Sequence, residues 1–70
     1  MTLKNAQAGQ TYIIRQINTG DEALNSFLFS LGCYVGAPIT VVAHRKNGST
    51  VSIKDGRYSI DNPLAEAIVV

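Results

Sequence analysis

The spacing of apolar positions changes period along the chain, and each change marks an element. Residues 9–17, GQTYIIRQI, are rich in β-formers and open on Gly9. Tyr12 and Ile14 alternate onto one face, but Ile17 falls on the other. A single strand here therefore needs a bulge near Arg15 and Gln16 to reset its phase. In the next stretch, NTGDEALNSFLFSLG, the residues Leu24, Phe27, Leu28 and Leu31 recur at i, i+3, i+4 and i+7. That is the apolar stripe of an amphipathic helix. Thr19 or Asp21 can cap its start, and Asp21 and Glu22 suit the positive end of the macrodipole. Gly32 supplies the left-handed residue that stops it, so the helix is expected over residues 21–31. Gly36 then permits a tight turn into APITVVAHR, residues 37–45, a strand with Pro38 at its first position or on an edge.

Two hairpins follow. Asn47-Gly48 alone suggests a two-residue turn, which would set Val42 and His44 opposite Ile53 and Val51. A three-residue loop, residues 46–48 with Gly48 left-handed, sets Val41 and Ala43 there instead. The second register is preferred because it keeps Ile39, Val41 and Ala43 inside and leaves His44 outside; a slip of one residue would flip every side chain. Asp55-Gly56 reads as a further two-residue turn, placing Ile53 opposite Tyr58 and Val51 opposite Ile60, with Ser52 and Ser59 paired on the other face. Asn62 is then a cap and Pro63 a first helical residue, for a short helical turn before AIVV. That last segment is expected to pair with the first strand. Strand, helix, three-stranded meander, helical turn and strand make a mainly β domain: a small, partly open five-stranded barrel with one α-helix inserted after the first strand and plugging one end.

Composition narrows the functional classes. Seventy residues form a single domain, 1–70, with 46% hydrophobic and 16% charged residues and a net charge of +1. This balance suits a packed globule. Lys4, Arg15, Arg45, Lys46, Lys54 and Arg57 are scattered, so nucleic acid is not expected as the main partner. The alternative is a basic patch assembled in space from Arg45, Lys46, Lys54 and Arg57. No segment reads as a signal peptide or approaches the roughly 20 apolar residues of a membrane span. With one cysteine, the chain fits a reducing cytosol, and a cytoplasmic location is expected.

Candidate chemistry is sparse. Cys33 as a nucleophile needs a base, and His44 is the only histidine. Cys33 also follows the negative end of the helix, where a thiol holds its proton more tightly. It reads as a small apolar side chain in a turn. A metal site needs three or four ligands, and no His, Cys, Asp or Glu cluster has that spacing. A weak site using His44 and Cys33 is the alternative. The five carboxylates, Asp21, Glu22, Asp55, Asp61 and Glu66, sit at caps or turns, and no pair is spaced for acid–base work. No catalytic, cofactor or metal residue is therefore assigned. Phe29 falls off the helical stripe, and Tyr34 and Val35 lie in the turn after it. Exposed together, Phe29, Tyr34 and Val35 would form an apolar partner site.

The segments AGQTYIIRQI, LNSFLFSLGCYVGAPITVV, VSIKDGRYSID and LAEAIVV together resemble the FeoA family, the small ferrous iron transport protein A. The most specific part is Leu28, Leu31, Gly32, Gly36, Ile39 and Val41, a leucine-rich helix running into a Leu-Gly-x-x-x-Gly turn and a β-branched strand. Ala65, Ala67 and Ile68 add to it. The resemblance implies an SH3-like barrel and a cytosolic, non-enzymatic adaptor. Its implied partner is the cytoplasmic, GTPase-containing region of a FeoB-type ferrous iron transporter. The chain departs from the commoner family form in having Val35 where many members carry proline, and in a helix, EALNSFLFSL, without basic residues. The loss of helix charge favours a hydrophobic contact through Phe29 and Tyr34 over an electrostatic one. Self-association as a homo-oligomer is also expected from the apolar patch and small core. Two other readings compete: a β-barrel binding single-stranded nucleic acid, with Tyr12 and Tyr58 as stacking platforms, and a weak divalent-metal sensor.

Overall fold

The first β segment does not run through as one strand. In a computed structural model describing residues 1–70, it divides into β1, Thr11–Ile13, and β2, Gln16–Ile17. The expected phase reset is a change of sheet. Ile14 is buried and still bonds to the Gly36–Ala37 segment, while the Arg15 N–H donates to the Val69 carbonyl at 2.7 Å. The helix α1 follows at Glu22–Leu31, and then come β3, Pro38–Arg45; β4, Gly48–Ile53; β5, Gly56–Asp61; α2, Asn62–Ala67; and β6, Ile68–Val69. Strands β1-β3-β4-β5 form one antiparallel sheet in that order, and β2 and β6 form a second. The fold is mainly β, with six strands in two sheets rather than a closed barrel. As expected, the last segment pairs with the first, Ile17 opposite Ile68.

Both hairpin registers differ from the sequence-based ones. The β3–β4 turn is Lys46-Asn47, so Arg45 faces Gly48 and His44 faces Ser49. Gly48 is not left-handed. A Cβ on it would instead run into the Ile60 carbonyl of β5. A bulge between Val41 and Ala43 then puts Val41 opposite Val51. Ile39, Val41, Val51 and Ile53 are all buried, but the bulge turns Ala43 off that face and sets His44 opposite the buried Ser49, with the histidine itself still exposed as expected. The β4–β5 turn is Lys54-Asp55, with Lys54 at φ 51°. Val51 therefore faces Tyr58, and Ser52 faces Arg57. This register is two residues from the expected one, so every side chain keeps its face.

The helices exchange roles. In α1 only Leu28 is buried, Leu24 and Leu31 are half-buried, and Phe27 is 58% exposed. The stripe is thus narrower than i, i+3, i+4, i+7, and α1 lies at the periphery. The short α2 is the better packed, with Ala65 fully buried. Its cap is Asp61, whose Oδ1 accepts from the Leu64 N–H at 3.0 Å, one residue before the expected Asn62. An N-terminal 3-10 turn, Leu3–Asn5, packs against α2 and contributes Leu3 and Ala6 to the core.

Candidate functional site

The junction of α1 and the following turn is built by its backbone. Asp21 caps the start, accepting from the Leu24 N–H at 3.1 Å. At the other end Gly32 is left-handed, with φ 95°. The Gly32 N–H donates to the Phe29 carbonyl at 3.0 Å and the Cys33 N–H to the Leu28 carbonyl at 2.9 Å. These two bonds form a Schellman motif, which wants an apolar residue immediately after the glycine. Cys33 fills that place: it is buried in the same core cluster as Leu28. Burial pushes its thiol pKa up, opposite to what a nucleophile needs.

The motif reverses the chain and returns Tyr34 to the flank of the helix. The Phe29 and Tyr34 rings lie 5.1 Å apart at 39°, within the range of favourable aromatic pairs. Phe29 is 65% exposed and Val35 61% exposed, while Tyr34 is half-buried. Lys54, from the distant β4–β5 turn, lies along Gly32 and places its Nζ 5.9 Å from the Tyr34 ring centre. A cation at that distance over an aromatic face is attracted by the ring quadrupole. The structure thus brings Phe29 and Tyr34 into contact, exposes Val35 beside them, and adds Lys54. Phe27, which the periodicity places on the core stripe, is a further exposed aromatic of the same helix.

The other candidates are placed elsewhere. His44 is engaged at both ring nitrogens, with Nδ1 bonded to Ser49 Oγ at 2.9 Å and Nε2 to the Ala6 carbonyl. A carbonyl only accepts, so Nε2 carries a proton and ties the N-terminal segment to the β3–β4 hairpin. No three His, Cys, Asp or Glu side chains come together in a metal-holding group. Arg45 and Lys46 lie at one end of β4 and Lys54 and Arg57 near the other, about 17 Å apart at strand rise. The four do not form one basic patch. Tyr12 and Tyr58 are half-buried; the Tyr12 hydroxyl accepts from the Gln7 N–H, and Tyr58 lies over Gly56. Neither offers a free stacking face beside a basic groove.

The FeoA domain profile matches residues 1–70. The chain belongs to the FeoA domain family. Among solved structures, this FeoA domain is similar to an iron uptake regulatory protein, FeoA, at 28% identity over 97% of this chain and 91% of that one, with a TM-score of 0.82. It is similar to Stenotrophomonas maltophilia FeoA crystallised with zinc, described as a procaryotic SH3 domain protein. That likeness has 20% identity, covers 100% of this chain and 88% of the other, and has a TM-score of 0.82. It also resembles a manganese-dependent transcriptional repressor, at 23% identity and a TM-score of 0.84. That match covers 97% of this FeoA domain and 39% of the repressor, so the chain spans well under half of it. The latter two likenesses establish the SH3-like fold alone. No curated protein matches the chain. No helix is long and apolar enough to cross a membrane.

Proposed function

We propose that this FeoA domain is a non-enzymatic, cytoplasmic accessory of ferrous iron uptake that acts by contact with the cytoplasmic, GTPase-containing part of a FeoB-type transporter. The observation that carries the contact mode is the Phe29–Tyr34 pair, an exposed ring held against a half-buried one and flanked by exposed Val35, at the end of an α1 without basic residues. Two aromatic rings already held against each other lose little side-chain entropy on binding, and such residues dominate the energetics of interfaces. Family membership supports the transport role. The Stenotrophomonas relative, described as a candidate ferrous iron transport activating factor, is consistent with it.

The test is an amide-resolved NMR titration of the whole chain with the cytosolic region of a FeoB-type transporter from the same genome. Shifts clustered from Phe27 to Gly36 are expected. Phe29→Ala or Tyr34→Ala should each weaken binding about tenfold, or ~1.4 kcal/mol, while the remaining spectrum keeps its dispersion. Unchanged affinity in both variants would remove the patch as the docking surface, and an absence of any shift would remove simple binary docking.

A further inference from the structure

Strand β5 is a free edge of the four-stranded sheet, paired with β4 on one side only. The Lys54-Asp55 turn makes Ile53 and Gly56 the closing pair of the hairpin. In a two-residue hairpin that pair is hydrogen-bonded, so Gly56, Tyr58 and Ile60 direct their backbone groups toward β4. Arg57, Ser59 and Asp61 direct theirs to the open side. Their side chains share the outer face of the sheet, and all three are exposed. Along the edge they read cation, hydroxyl, carboxylate. An antiparallel copy of this sequence is complementary to itself.

We propose that β5 pairs with β5 of a second copy of this chain, antiparallel about a two-fold axis at Ser59. In that register Ser59 faces Ser59 and exchanges both backbone bonds. Each Arg57 faces the other copy's Asp61, so both ends of the pairing carry opposite charges directly across from each other. Each Asp61 N–H meets the opposing Arg57 carbonyl; this leaves the Asp61 carbonyl to begin α2. On the inner face Tyr58 lies opposite Ile60 of the other copy, and both are half-buried in the single chain. The contact is isologous and closes at two copies, joining the two four-stranded sheets into one. An edge strand guarded only against aggregation carries charges that repel or interrupt a second strand. In this register the charges match.

Sedimentation equilibrium of the full chain, at concentrations up to about 1 mM, decides the matter. A reversible dimer is expected. Ser59→Pro should abolish it with the circular dichroism spectrum kept, since the lost N–H faces solvent in the single chain and proline is tolerated on an edge. Arg57→Glu, which sets Glu against Asp61, should weaken the dimer at least about tenfold and serves if the proline variant does not fold. Phe29→Ala should leave it intact, which separates this contact from the proposed transporter site. A wild type that stays monomeric, a dimer unweakened by Ser59→Pro or Arg57→Glu, or one dissolved by Phe29→Ala would each overturn the proposal.

Discussion

Gly48 and Gly36 are glycines for different reasons, and the difference is measurable. Gly36 sits at φ 93° with open space around its Cα, so an alanine there meets only the left-handed torsional penalty. Gly48 has an ordinary φ, but the Ile60 carbonyl of β5 occupies the place of its Cβ. Relieving that clash means moving backbone against backbone in the middle of a sheet. Gly36→Ala should therefore cost about 1 kcal/mol, and Gly48→Ala about 3 kcal/mol, at the upper end of ordinary overpacking. Urea denaturation of the two variants gives the comparison. Equal losses would show that β5 can give way at Gly48 without cost. Gly56 is a third case: the phenol of Tyr58, a side-chain end rather than backbone, lies where its Cβ would be. Neither the Gly48 nor the Gly56 requirement is visible in the sequence, where both glycines look like turn residues.

At the scale of elements, the cap of α2 makes a second contrast. Asp61 ends β5 and accepts from the Leu64 N–H, while the neighbouring Asn62 is already helical, its side chain reaching the Lys46 carbonyl at 3.4 Å. Asp61→Ala should cost about 1 kcal/mol through the lost cap. Asn62→Ala should cost well under half of that, because a bond so long contributes little. A larger loss at Asn62 would make it the working cap, as the sequence pattern alone suggests. Periodicity and terminal glycine are strong local signals, and they located α1 within one residue. Turn position is a weaker signal. Asp55-Gly56 and Asn47-Gly48 both have favourable turn chemistry, yet both turns close one residue earlier. In β4–β5 the shift of two leaves Val51, Tyr58 and Ile60 on the core face, so the error does not reach the core. In β3–β4 the bulge after Val41 is the cause, and it sets His44 opposite Ser49 while leaving the histidine exposed. A bulge answers the packing of both neighbouring strands, and nothing local encodes it. For the candidate site, exposure of Phe29 and Val35 was legible from helical phase and turn position. The arrival of Lys54 over Tyr34 was not, because it comes from a turn twenty residues further on.

For the molecule as a whole, the core is completed by a segment whose sequence looks like a polar tail. A domain of this size has only about 3–5 kcal/mol of stability to draw on. Within MTLKNAQAGQ, Leu3 is fully buried and Ala6 nearly so. The segment is held at several points: Thr2 bridges to Val69, the Val70 N–H donates to the Met1 carbonyl at 2.9 Å, and His44 bonds the Ala6 carbonyl. A 3-10 turn of three residues has no periodicity to betray its buried face, which is why a lone leucine among polar neighbours was not assigned to the core. The turn packs against α2, which itself packs on β4, β5 and β6. Leu3→Ala should then cost about 2–5 kcal/mol, enough to unfold much of the population at 37 °C. Lys4→Ala, one residue away, removes an exposed ion pair with Glu66 at 2.7 Å and should cost under about 1 kcal/mol. Thermal melts of the two variants distinguish a structural N-terminus from a tethered one. Similar small losses in both would mean that the barrel-like core stands without its first residues.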